Sequence, residues 1–149
     1  MSSIDLLQIL TGQKNFIGVF SSNNLNAISV KSSPYFVIVN IVHDQIQFGH
    51  WIAIRLGSSS VEIFDSLGFL IKNWGHYPPK LLKFLSNYAF SHKFKVSPAL
   101  QPPDSLFCGL YCVYFVLFRE FINFSSCISP FRNLSTNDAV LIYLLRNLD

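Results

Sequence analysis

"HWIAIRLGSSSVEIFDSL", His50 to Leu67, reads as two strands and the turn between them. "HWIAIRL" (His50–Leu56) and "SVEIFDSL" (Ser60–Leu67) are short and rich in β-branched and aromatic residues, and the "GSSS" that separates them is hairpin-turn chemistry. Upstream, "YFVIVNIV" (Tyr35–Val42) has the same character, so the three runs are expected to pair in one sheet. In an antiparallel hairpin, His50 opens one strand and Asp65 closes its neighbour, which brings both to the same edge of the sheet.

Outward from this hairpin, helical spacing takes over. Ile4, Leu7 and Ile9 or Leu10 predict a short helix that ends near Gly12. After "YPP", the segment "KLLKFLSNYAF" (Lys80–Phe90) predicts another, and "KFKVSP" (Lys93–Pro98) alternates as an exposed or edge strand does. "PPDSLFCGLYCVYFVLFREF" opens with Asp104 or Ser105 as a cap and continues hydrophobic nearly all round, as a core helix does. "LSTNDAVLIYLLRNL" (Leu134–Leu148) predicts a final amphipathic helix lying on the body. The predicted class is α+β, a small and mostly antiparallel sheet packed against helices with a buried central helix beginning at Cys108. A chain of 149 residues, half of them hydrophobic, suits a single domain over residues 1–149.

Composition excludes several classes. Eleven basic against eight acidic residues leave +3, scattered except at Lys93 and Lys95, which makes a weak case for nucleic acid. The longest apolar stretch, Leu106–Phe118, has 13 residues where a bilayer-spanning helix needs about 20, so no membrane span is expected. "MSSIDLLQIL" has no basic region and is not read as a secretory signal. The three cysteines, Cys108, Cys112 and Cys127, are odd in number and lack metal-ligand spacing; free thiols in a reducing compartment, and no metal, are expected.

The chemistry centres on Cys108. A cysteine two or three residues past a helix cap lies where unpaired backbone N–H groups and the helix dipole favour a thiolate. Gly109 keeps the chain uncrowded where a substrate backbone approaches. Cys108 is equally readable as a small core hydrophobe, as Cys112 and Cys127 are. A nucleophile needs a base and the base an orienter. His50 and Asp65 supply them, Asp65 accepting from one imidazole nitrogen and leaving the other to take the thiol proton. Gln101, in a loop stiffened by Pro102 and Pro103, is placed to donate to an oxyanion beside the Cys108 N–H. Taken singly, His50 reads as a surface or satisfied core histidine, Asp65 as a turn residue of "FDSLG" and Gln101 as a loop residue facing water. His43, His76 and His92 are the other histidines available as a base.

The order "GHW", "IFDSLG", "QPPDSLFCGLYC" resembles the His, Asp or Glu, Gln and Cys pattern of the adenain family, the adenovirus-type cysteine proteases related to the Ulp/SENP peptidases. "FIGVF" (Phe16–Phe20) and "FVIVN" (Phe36–Asn40) resemble the family's N-terminal stretches, so the resemblance extends over most of the chain. It implies an adenain/Ulp-like fold with Cys108 as nucleophile, His50 as general base and then acid, Asp65 as orienter, Gln101 as oxyanion donor and Trp51 beside the substrate cleft. The acidic member is Asp65 where adenovirus enzymes have Glu, and the chain is shorter than theirs, with one further helix expected beyond the central one.

The resemblance implies a viral thiol protease that cuts structural precursor proteins of a DNA virus or virus-like mobile element, next to small residues such as Gly, in the host nucleus or cytoplasm and in the virion. An isopeptidase on ubiquitin-like conjugates, an acyltransferase, and a catalytically silent virion structural or binding protein remain open beside it. No cofactor is expected. Adenovirus enzymes take an activating peptide that can be tethered by a disulfide upstream of the glutamine, yet "AFSHKFKVSPALQ" has no cysteine. Activity without an activator is therefore expected, or a noncovalent peptide pairing along "KFKVSP".

Overall fold

The computed structural model describes residues 1–28, 33–43, 46–69, 75 and 77–148, without the side chains of 42–48. Strand β1 (Phe16–Ser21), β2 (Tyr35–His43), β3 (Ile46–Leu56), β4 (Ser60–Phe64) and β5 (Lys93–Val96) form one sheet in that order. The helices described in full are α1 (Ser3–Leu10), α2 (Pro79–Ser86), α3 (Cys108–Phe118), α4 (Phe124–Ile128) and α5 (Asn137–Arg146), and a 3-10 turn covers Leu25–Ala27.

The α+β class stands, but the sheet is mixed. β2–β3 and β3–β4 are antiparallel, whereas β1 on β2 and β5 on β4 are parallel. Antiparallel partners need only a turn, and Gly57 N–H to Ser60 C=O (2.9 Å) closes the one between β3 and β4. Parallel partners need a crossover, and α2 lies in the one that leads from β4 to β5. β5 is the edge strand that its alternation predicts, with Lys93 and Lys95 exposed.

Both faces of the sheet are covered, which explains why its central strands are continuous apolar runs. Phe36, Ile38, Ala53 and Phe64 pack beneath α1, α3 and α5. Val37, Val39, Ile52, Ile54 and Ile63 face Leu81 and Leu85 of α2. α3 crosses the first face with Tyr111, Cys112, Tyr114 and Phe115 all buried, and Phe115 stacks on Phe64 at 4.6 Å between ring centroids. Glu62 is a buried charge on β4, held bidentately by Arg119 (2.7 and 3.0 Å) beyond the end of α3. Among the described residues no helix is long and apolar enough to cross a membrane.

Several boundaries differ from the sequence expectation. β4 stops at Phe64, so Asp65 belongs to the turn after it, and β3 starts four residues before His50. α4 adds a short helix between the central and final ones, capped by Asn123, whose side chain accepts the Ser126 N–H at 2.8 Å. α3 starts from Phe107 with no side-chain cap; Ser105 Oγ accepts the Phe107 N–H instead, and Asp104 is not the cap either.

Candidate active site

His50, Asp65, Gln101 and Cys108 converge where β3 and β4 meet the start of α3. His50 follows Gly49, whose φ of +76° takes β3 through the left-handed region; the irregular β2–β3 pairing lies between Ile41 and His43, next to this point. Asp65 opens a turn closed by Gly68 N–H to its carbonyl (2.9 Å). Gly68 has φ +67°, and a Cβ there would meet the Ala99 backbone nitrogen at 2.5 Å, so only glycine fits. Ser97, just past β5, locks the Asp65 backbone by accepting its N–H (2.8 Å) and donating to its carbonyl (2.9 Å).

The buried His50 ring places Nε2 2.7 Å from Asp65 Oδ1, and both side chains are essentially inaccessible, at 1 and 0 % exposed. That leaves Nδ1 as the ring nitrogen free of Asp65, and the ring and the Cys108 sulfur lie close enough to favour each other's charged form. The Asp65 carboxylate accepts three more bonds: from Leu67 N–H (3.1 Å) on Oδ1, and from Phe69 N–H (3.1 Å) and Tyr77 O–H (2.7 Å) on Oδ2. Phe69 also sets its ring edge-on to His50 at 5.6 Å.

These contacts fix the charge states. Burial pushes the Asp65 carboxyl up, but His50 and the hydrogen bonds to its oxygens outweigh it and hold the pKa below the usual value. Burial pulls the His50 pKa down, and the bonds and charges of Asp65 and Cys108 overcome it to raise it to about 9. For Cys108, burial acts upward, whereas His50 and the backbone N–H groups of Trp51 and Gly109 act downward and win. An imidazolium and a thiolate thus favour one another here. Cys112 is buried and its thiol is pushed well up, and burial takes Cys127 to about 12. Cys108 alone of the three is accessible and easily ionised.

Cys108 is the first residue of α3, directly after the cap position, rather than two or three residues past it. No side chain caps that turn, and the Gly109 N–H beside the Cys108 sulfur helps to lower the thiol's pKa.

Gln101 faces inward, at 2 % exposure, rather than water. Its Oε1 accepts from Ser66 Oγ (2.6 Å) and its Nε2 donates to the Ser105 carbonyl (2.7 Å), an acceptor that fixes the orientation of the amide. The loop backbone is pinned as well: Leu100 and Gln101 N–H both reach the Ser66 carbonyl (2.8 Å each), and Asn137 at the start of α5 donates to the Leu100 carbonyl (2.8 Å). Trp51 and Gly109, the expected substrate-facing residues, both lie beside Cys108 through their backbone N–H groups.

Tyr77 and Asn137 also support the site, unforeseen from the sequence. Neither has a local signal, because each reaches the site from a distant element. Of the other histidines, His92 is bonded to Ser91 Oγ (2.7 Å) and to the Gly57 carbonyl (3.0 Å) at the hairpin turn, while His76 and the side chain of His43 lie outside the described residues. Among the described residues no group of three His, Cys, Asp or Glu side chains is placed to hold a metal ion.

Tyr77 O–H donates to a buried carboxylate, so Tyr77→Phe is expected to cost about 1.5–3 kcal/mol of unfolding free energy at pH 7. Chemical denaturation measures it, and an unchanged midpoint and slope would show that this bond stabilises nothing.

No protein-family model matches the chain, and comparison with curated proteins returns no significant relative.

Proposed function

We propose that this protein is a cysteine endopeptidase of adenain-like type, cutting structural precursor proteins of a virus or virus-like element next to Gly. The observation that carries the reading is the buried, hydrogen-bonded Asp65–His50 pair beside Cys108, which is itself partly exposed. A core cysteine has no need of a neighbouring imidazole, nor that imidazole of a carboxylate fixed by four donors.

In this mechanism the Cys108 thiolate attacks the scissile carbonyl carbon and its π electrons move to oxygen. The oxyanion is met by backbone N–H at the start of α3 and by Gln101, whose Nε2 carries a second hydrogen beyond the one given to Ser105. His50, already protonated, gives its proton to the leaving amine as the C–N bond breaks and the acyl group stays on sulfur. It then takes a proton from the water that hydrolyses the thioester. Asp65 holds Nε2–H throughout and keeps Nδ1 aimed at the sulfur.

The test is to incubate the purified protein with Gly-containing peptides and, in parallel, with ubiquitin-like conjugates, then quench in acid for intact-mass analysis. Cleaved peptide together with an acyl adduct on Cys108 is expected. Release of the ubiquitin-like protein with the peptides intact would replace the endopeptidase by an isopeptidase, and no adduct with any substrate would overturn the hydrolase reading. Gln101→Ala is expected to lower kcat by about 10²-fold or more with little change in KM, since its amide meets the oxyanion and not the ground state. Equal kcat in the variant would remove Gln101 from the reaction.

A further inference from the structure

Met1 lies across the candidate site. Its carbonyl accepts the indole N–H of Trp51 at 3.2 Å, and its side chain rests on Gly109, where an added Cβ would meet Met1 Sδ at 2.9 Å and Met1 Cβ at 3.3 Å. One residue therefore holds a donor on the residue after His50 and covers the residue after Cys108.

Its position is set from the other side by a capping box at the start of α1. Ser2 Oγ accepts the Asp5 N–H (3.2 Å), and Asp5 Oδ2 accepts both the N–H and the O–H of Ser2 (2.7 and 2.8 Å). α1 is in turn anchored by Leu6 and Leu10, both fully buried against α3 and the sheet. Met1 itself remains 48 % exposed, held by one neutral hydrogen bond and a partial apolar contact. That is a contact firm enough to be ordered and weak enough to be displaced.

We infer that Met1 is a displaceable strap that occupies the place of a substrate residue. The inference rests on the hydrolase reading of the site. An extended peptide approaching the Cys108 sulfur needs the ground over Gly109, and its backbone carbonyl suits the Trp51 N–H; Met1 holds both. Substrate binds only to the fraction of molecules whose strap is open, so the strap raises KM and leaves kcat alone. It shields the sulfur from bulky reagents by the same means.

The experiment loosens the strap without touching the site. Ser2→Ala/Asp5→Ala removes the capping box from two exposed residues. Labelling of Cys108 by a bulky maleimide is expected to accelerate by about fivefold, the factor expected from losing one cap interaction. KM for a Gly-containing peptide is expected to fall by the same factor at constant kcat. An unchanged labelling rate overturns the strap. Should Cys112 label as well, α1 has come away from the core, and Trp51→Phe decides: losing only the indole N–H, it is expected to accelerate labelling of Cys108 while Cys112 stays silent, and no acceleration overturns the proposal. Labelling needs no turnover. Faster labelling with no peptide cleaved by any of these proteins would keep the strap and count against the hydrolase, whereas normal cleavage with unchanged labelling would do the reverse.

Discussion

Cys108→Ala is expected to abolish peptide hydrolysis, a fall on the order of 10⁶-fold in kcat, the scale seen when a protease nucleophile is removed. In the proposed reaction the sulfur supplies the attacking electron pair and carries the acyl group, and no other thiol could substitute, since Cys112 is buried and Cys127 is held at about 12. The fold should survive. Position 108 is the first residue of α3, where Ala is a good helix former, and the lost thiol is only half-buried. Measured together, turnover and thermal unfolding separate the two readings of this cysteine. Lost turnover with an intact unfolding transition fits a nucleophile, and a collapsed transition would return Cys108 to the core.

His50→Ala is expected to reduce kcat almost as far, on the order of 10⁵- to 10⁶-fold, because it removes the group that keeps the thiolate charged and the acid that protonates the leaving amine. The substitution also leaves Asp65 buried with no cation beside it. Burial then acts on the carboxyl with less to offset it, and the variant is expected to unfold more easily as well. In the native protein, turnover is expected to decline as the pH passes about 9, where the imidazolium gives up the proton it must deliver. Near-normal turnover in His50→Ala would mean that another residue is the base.

The central strands were legible because both faces of the sheet are buried, so Tyr35–His43 and the hairpin after it read as unbroken apolar runs. The edges were harder. β1, "FIGVFS", contains Gly18 at φ +151° and a register shift between Phe16 and Gly18, which breaks the alternation by which a strand is recognised. Its parallel pairing also depends on a crossover that no short sequence window contains. Within the site, the hairpin geometry placed His50 near Asp65 although each strand ends elsewhere than expected, because antiparallel pairing tolerates a few residues of error at its ends. The inward turn of Gln101 was not legible, as it depends on Ser66 and Ser105 meeting across a loop. Nor was Tyr77, or Met1 on Trp51 across fifty residues of sequence.

The claim on which all of this turns is that His50 and Cys108 form a charged pair. The most direct measurement is the rate of Cys108 alkylation by iodoacetamide from pH 4 to 10, read by peptide mapping in the native protein and in His50→Ala. A group with a lowered pKa ionises earlier as the pH rises, so native alkylation is expected to set in below the usual thiol range. Without the imidazolium, burial is opposed only by the backbone N–H groups of Trp51 and Gly109, and the onset is expected to move up into that range or beyond it. A native onset at an ordinary thiol pKa, unmoved by the loss of His50, would contradict the account.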